Sequence, residues 1–581
     1  MKTRIHRRRI SLGWWLFYAA AILIFIAPII RLFLMSLKSE EGYSLINYAL
    51  LLQERRTQKA IWNTITIAVG STVIAAGLGS LFALLIAYTN VRRKKWMELL
   101  VLLPFIIPSY IITLSWSSLL GQNGTINRTL SSIGLGRINI YSIAGIILVL
   151  GFCNVPIVYM NVVHMLRRIP SDMEWASRTC GYSIFQTMLR INLIQVLPAI
   201  LGGSILAFLA AIDNFAVPAF LGISSGIPVL STYIYEKAIS FGPDSFTLAA
   251  TLSVILSVIA VTGTMMEGIF GRKSSSMESV REDYSVRIPL NPLKRRAVES
   301  CAFLFLCIIN IVPLISMFAG AFQKTYGIKL TLGQLTLQNF SSLFHNKGVL
   351  DAIRTSVTLS LICCAVCIVA GTAVAYRKVR CPDRGIRFVE KSASLTYAIP
   401  GIVLALSMIF NWVEPIPGFR PGVYGTIRIL IIAYVTRYLI LQIKGSTTAM
   451  LSVNPALEEA VAASGRGRTA VWLEILIPLI AGPVLSSTFI IFVSALTELT
   501  LSSMLAAAGT RTIGLMIFNF QQAGDYNLAS AMSVVIVVLV MTGYLLVNRN
   551  NKFNGTEEQT YDSFHKKCNE KFRTDVSPEQ R

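Results

Sequence analysis

Four polar residues stand where the sequence is otherwise apolar: Asp213 and Asn214 in AAIDNFAVPAFLG, and Thr497 and Glu498 in SALTELTLSSML. A charge at mid-bilayer costs roughly 2.5–3.5 kcal/mol on insertion scales, so each needs a partner or a polar task. Two tasks compete: lining a path for a cationic or polar solute, and pinning helices through a hydrogen bond or an ion pair with Arg437. Covalent chemistry finds weaker footing. CCAVC (Cys363, Cys364, Cys367) contains a C-x-x-C spacing without His or carboxylate company, and reads as small residues in a packed helix. Four histidines, none paired at ligand spacing, point to no metal site. Gly465-Arg466-Gly467-Arg468 could pass for a phosphate nest, but it closes a helix, and neither G-x-x-x-x-G-K-[ST] nor any Gly-Lys pair occurs. With no nucleophile–base set either, the expectation is a chain that is not an enzyme and carries no cofactor.

A second constellation is polar and surface-bound. PALEEAVAASGRGRTAVWLEILIPLI has an Ala-rich amphipathic turn, a glycine, a second short helix and a proline entering an apolar stretch. RIPSDMEWASRTCGYSIFQTMLRINLIQVLP repeats that layout, with Glu174 against Glu458 and Gly181 against Gly465. A glycine permits the turn between two helices, small residues permit close docking, and a carboxylate can pair with a basic partner. The apolar side of each piece needs a docking surface. Two such loops at equivalent positions suit a two-fold partner.

The elements that must hold these residues follow from composition. The 581 residues are 54% hydrophobic and 14% charged, with a mean hydropathy of +0.62; a soluble domain carries about a quarter charged residues. Apolar blocks of about 20 residues or more recur, enough to cross ~30 Å of hydrocarbon as helices. The expected spans are 12–37, 61–89, 97–120, 140–166, 194–222 and 246–270, then 298–322, 350–376, 392–413, 425–445, 477–507 and 527–547. The opening stretch is too long for a signal-peptide core and lacks a small-residue cleavage site, so it is taken as a retained first span. The net charge of +23 sits in short clusters such as Arg92, Arg93, Lys94 and Lys95, or Arg377, Lys378 and Arg380. Basic clusters on alternate loops argue against nucleic acid and place both termini and the two docking loops in the cytoplasm.

The chain repeats itself. Ile86-Ala87-Tyr88 recurs as Val374-Ala375-Tyr376, FIIPSYIITLSW as YAIPGIVLALSM with Pro108 against Pro400, and MEWASRTCG as LEEAVAASG. Six spans per half return the chain to its starting side, so the halves run parallel about an axis along the membrane normal. The expected organisation is a first half at 1–270, a polar cytoplasmic linker at 271–297, a second half at 298–547 and a polar tail at 548–581.

On these residues the sequence resembles the permease subunits of bacterial ATP-binding-cassette importers that work with a binding protein, whose signature is E-A-A, a glycine, then I/L-P. Glu458, Glu459, Ala460, Gly465, Ile477 and Pro478 match closely; Glu174, Ala176 and Gly181 stand in register, but Trp175 replaces the second acidic residue and Ile194 the proline, with Pro198 four residues later. The resemblance implies an all-α membrane protein of about twelve helices in the type I importer permease fold, sited in the bacterial inner membrane. It further implies that the two loops, through Glu174, Ala176, Gly181, Glu458, Glu459, Ala460 and Gly465, couple to two copies of an ATPase subunit, and that a periplasmic or lipid-anchored binding protein delivers the solute. Two fused six-span halves and the DNFAVPAFLG and PVLSTYIYE wording look most like ferric-iron permeases, with thiamine or another small cation as the alternative. A secondary transporter can also have two parallel six-span halves. It would need coupling carboxylates beyond Asp213 and Glu498, and no paired docking loops. A non-transporting scaffold that uses the loops to hold partners is a third class.

Overall fold

The computed structural model describes residues 12–39, 42–240, 242, 244–271, 282–328, 331–413, 415, 420 and 422–543. The expected tail, 548–581, and most of the polar part of the linker lie outside them. Among the described residues the regular elements are helices, apart from one small hairpin of two two-residue strands at 38–43. Nine helices among the described residues are long and apolar enough to cross a membrane, or up to twelve if each of three bent helix pairs is one span. Two of those pairs are the proline-bearing third spans: Lys94–Ile106 with Ser109–Ser132, bent by 104°, and Arg384–Ala398 with Gly401–Val413, bent by 115°. The breaks fall at Pro108 and Pro400, where a ring without an N–H meets a preceding residue forced into extended geometry. Ile427–Ser452, 26 residues long, occupies the position of the expected span 425–445.

The two halves repeat element by element. Arg55–Tyr88 and Lys347–Arg380 are both 34-residue helices, Ile143–Arg168 and Ile427–Ser452 both 26, and Ser171–Thr179 and Pro455–Ala463 both 9. Wide π-turns repeat as well, at Ile22–Ile26 and Cys307–Ile311, each followed two residues later by a proline, Pro28 and Pro313. A proline displaces the carbonyl four residues before it, and one wider turn absorbs that clash without ending the helix. A second pair of π-turns, Met188–Asn192 and Val471–Leu476, leads from each docking loop into the next span. The first half makes this turn without a proline at 194, and Pro198 falls inside the helix that follows.

The fifth spans end sooner than their apolar composition suggests, at Asp213 and Leu496 rather than at 222 and 507. Asn214 is extended, with ψ 105°, and its side-chain oxygen accepts a hydrogen bond from the Val217 amide; Glu498 does the same for the Leu501 amide. Both are helix caps that start a new element. Each half then forms a short helical hairpin whose first arm was expected as the end of the fifth span and whose second arm was not expected as an element: Ala216–Leu221 with Leu230–Ile239, and Thr500–Leu505 with Ile513–Gln522.

The halves are interlocked. The first span, Gly13–Leu37, packs on the second half's broken helix 384–413, with Tyr18 donating to Asp383, Arg377 lying 4.2 Å over the Trp14 ring, and Arg31 donating to the Pro415 carbonyl. Reciprocally, the second half's first span, Pro292–Ala321, packs on the first half's broken helix 94–120. There Asn310 donates to the Leu100 carbonyl, and Phe305 of the same span stacks on Phe82 of the neighbouring helix Arg55–Tyr88.

Candidate functional site: two docking loops and a polar seam

Both docking loops form as helix–turn–helix units. In the first, Ser171–Thr179 ends at Gly181, whose φ of +85° lies in the left-handed region that favours glycine, and Ser183 with Gln186 makes a capping box for the next turn. In the second, Asn454 caps Pro455–Ala463, and Gly465 turns the chain at φ +77°. Six spans per half, as the sequence predicts, would bring both loops to the same side of the bundle.

Each loop carries one inward carboxylate. Glu458 accepts a 2.6 Å hydrogen bond from Nε of Arg380, whose Nη2 also reaches the Val453 carbonyl at 2.8 Å. Glu174, 5% exposed, accepts from Nη1 of Arg287 at 2.6 Å, and Nη2 of Arg287 reaches the Ile169 carbonyl at 2.8 Å. Ile169 and Val453 occupy equivalent positions in the repeat, so the two clamps hold the same carboxylate and the same carbonyl. The arginines do not correspond: Arg380 ends a span of its own half, whereas Arg287 belongs to the segment joining the halves. Asn192 adds a 2.6 Å bond to Glu174 and another to the Tyr88 hydroxyl.

The sites expected from sequence therefore divide. Glu174 and Glu458 face their own chain. Glu459, Ala460, Gly465, Ala176 and Gly181 lie on the helix and turn surface, and all five are exposed. Around them stand Trp175, which the sequence marked only as a departure from the motif, and residues it gave no part: Tyr182 and Phe185 on the first loop, and Leu457 and Leu473 on the second, all exposed. Arg178 lies 5.2 Å over Trp175 and Arg190 4.9 Å over Tyr182, so the first loop presents aromatic rings backed by cations. Their signal was available as apolar residues at exposed positions of an amphipathic turn.

The second constellation lies where the halves meet. Asp213 pairs with Arg437 at 2.5 Å and accepts from the Gly401 amide at 2.7 Å, directly after Pro400 in the other half's broken helix. Arg437 is held further by the carbonyls of Ile399 and Tyr397. Asn214 donates to the Ser109 hydroxyl, directly after Pro108 in its own half. Asp213 and Asn214 thus tie both helix breaks together. Thr497 turns its hydroxyl back on the Val493 carbonyl, and Glu498 caps its own hairpin. Beside them the two hairpins close on aromatic rings, with Phe518 5.5 Å from Phe220 and 6.2 Å from Phe215, and Gln521 and Gln522 donate to the carbonyls of Phe220 and Ala219. Cys363 and Cys367 lie 3.9 Å apart inside the helix Lys347–Arg380 as free thiols.

Known proteins share this plan. The chain is 24% identical over 522 residues to the ferric transport system permease protein FbpB of Actinobacillus pleuropneumoniae, which covers 88% of this chain and 74% of that one. It is 23% identical to the probable ABC transporter permease protein y4fN of Sinorhizobium fredii, covering 86% and 88%. Over 215 residues it is 26% identical to the molybdenum transport system permease protein ModB of Mycobacterium tuberculosis, covering 37% of this chain and 80% of that one. Among solved structures, a bacterial alginate ABC transporter in complex with an alginate pentasaccharide-bound periplasmic protein aligns with 46% of this chain and 96% of its own, at 20% identity and a TM-score of 0.38. The family model for the binding-protein-dependent transport system inner membrane component matches residues 75–273 and 367–553. One match falls in each half and together they span more than half of the sequence, so the chain belongs to the family of binding-protein-dependent transport system inner membrane components.

Proposed function

We propose that this permease passes ferric iron, handed over by an extracytoplasmic binding protein, through the seam between its halves, driven by two copies of an ATP-binding-cassette subunit seated on its docking loops. The observation that carries the reading is the pair of equivalent helix–turn–helix units, each exposing an apolar and charged surface. Both units are cytoplasmic in this reading, as are both termini, in line with the basic clusters beside them. Ferric iron is supported by the likeness to FbpB along most of the chain; the binding protein selects the solute, and the seam supplies a guarded path. Asp213, Asn214, Thr497 and Glu498 belong to that path chiefly as the posts that set the broken helices and hairpins, with Glu498 the group offered to a passing cation.

The test is uptake by proteoliposomes containing the permease, with and without an ATPase subunit and a loaded binding protein. Uptake of ferric iron that requires both partners and ATP is expected. Uptake driven by an ion gradient alone would establish the secondary-transporter alternative, and transport of thiamine in place of iron would reassign the cargo.

A further inference from the structure

The two docking helices are clamped at equivalent points by arginines from non-equivalent parts of the chain. In the second half the guanidinium comes from Arg380, at the end of the 34-residue helix of that half. The residue that follows Tyr88 as Arg380 follows Tyr376 is Arg92, which is exposed, and among the described contacts its amide faces Glu299. The clamp on Glu174 is instead supplied by Arg287, 113 residues away along the chain.

Arg287 is 5% exposed and sits in a short irregular segment docked on the first half through one isolated bridge, Ile288 to Thr89. The amides of Arg287 and Ile288 both donate to the Tyr88 carbonyl at 2.9 Å, and Asn90 exchanges two 3.1 Å hydrogen bonds with the backbone of Leu290. The Asp283 amide donates to the Arg167 carbonyl, and its carboxylate accepts from the Ser171 amide at the start of the docking helix and from Arg287 at 3.0 Å. Arg178, in the last turn of the docking helix, donates to the Arg287 carbonyl. The segment therefore grips the first docking helix at its start, its middle and its end. Only Asn291 separates Leu290 from the helix of the second half's first span, in which Glu299 lies 3.6 Å from Arg93. A buried pair held by several further hydrogen bonds is restricted in geometry and transmits displacement, whereas an exposed ion pair gives little hold.

We propose that residues 282–290 are a strut which carries motion of the first docking loop into the first span of the opposite half, with Arg287 and Glu174 as its positioning residues. The second loop, clamped by Arg380, drives its own half directly. One power stroke on two like loops is then delivered through two different routes, and the strut links it across the seam. This rests on the proposed coupling to an ATPase.

The experiment uses the full chain with its ATPase and binding protein in proteoliposomes, and reads ATP hydrolysed per solute taken up. If the unaltered chain shows no ATP-dependent uptake, the proposed function fails before the strut is tested. With uptake established, Arg287→Ala should raise the ATP spent per solute about tenfold, a typical size for a coupling between sites, while leaving ATPase assembly intact. The exchanged pair Glu174→Arg with Arg287→Glu should bring the ratio back towards that of the unaltered chain. A ratio unchanged in Arg287→Ala overturns the strut, as does an exchanged pair that inserts normally and stays as uncoupled as the single variant. Hydrogen exchange on the unaltered complex gives a test independent of any variant. On binding a non-hydrolysable ATP analogue, amides 282–290 should change protection together with 171–179, and a segment that stays fixed while the docking helix changes overturns the proposal.

Discussion

Glu498 shows how one carboxylate can be asked to serve two masters at the scale of a residue. It accepts from the Leu501 amide at 3.1 and 3.2 Å, which is the work of a helix cap, and losing a cap costs about 1 kcal/mol. Glutamine keeps an acceptor oxygen at that distance and removes the charge. If Glu498 is offered to a passing cation, Glu498→Gln lowers iron uptake severalfold while the thermal midpoint in detergent stays close to that of the parent, and Glu498→Ala lowers both. Equal uptake by the glutamine variant would leave the residue a cap only. The neighbouring Asp213 is a different case, because Arg437 and the Gly401 amide already engage both of its oxygens. That pairing was within reach of the sequence, which places an arginine and an aspartate alone in apolar surroundings. Their common position at two helix breaks was not, since it depends on where Pro108 and Pro400 bend the chain.

At the scale of the element, the helix–turn–helix form of the two loops was legible because the repeat supplies two copies of a helix, a glycine and a second helix. Both glycines adopt the left-handed backbone that such a turn needs, and neither has a neighbour within 4 Å of where a Cβ would stand. Gly465→Val therefore meets no clash and suffers only backbone strain, roughly 1–2 kcal/mol. The turn opens, the exposed docking surface shifts, and ATPase co-purification and uptake fall together while membrane insertion is kept; normal co-purification would show that the turn geometry is immaterial. What holds the first loop in place was hidden in VRIPL, a stretch with no period and no motif. Its anchor Asp283 lies outside the spans. Burial works against its charge, but the amides of Ser285 and Ser171 donate to the carboxylate and hold it well below the usual carboxylate range. A carboxyl depressed in the folded state contributes stability above its unfolded value of about 4 and loses it only as the pH falls through the folded value. The protection of amides 282–290 should accordingly be the same at pH 5.5 and pH 8, and loss of protection by pH 5.5 would mean that another group secures the segment.

The whole molecule is held by exchange. Each half lends its first span to the broken helix of the other, so neither broken helix is covered by its own half alone. The contact is close: a Cβ on Gly385 would stand 2.6 Å from Cζ of Tyr18, and the same tyrosine donates to Asp383. Sequence periodicity could count the spans, but it carries no information on which half a span leans against, because every span offers the same kind of apolar surface. A prediction follows from the exchange itself. If the chain is cut after residue 276 and the pieces are made separately, each piece exposes the broken helix meant for the other's first span, as well as the polar posts around Asp213 and Arg437. An unpaired arginine in that setting costs several kcal/mol, so neither piece should accumulate alone. Made together, the pieces regain both first-span contacts, the Asp213–Arg437 pair and the Glu174–Arg287 clamp, none of which needs the peptide bond at the cut. A tag on the first piece should then retrieve the second at equal amounts from detergent extract. Two pieces that each purify alone as stable, monodisperse proteins would show that the exchanged spans contribute little, and that the halves are self-sufficient bundles joined by a tether.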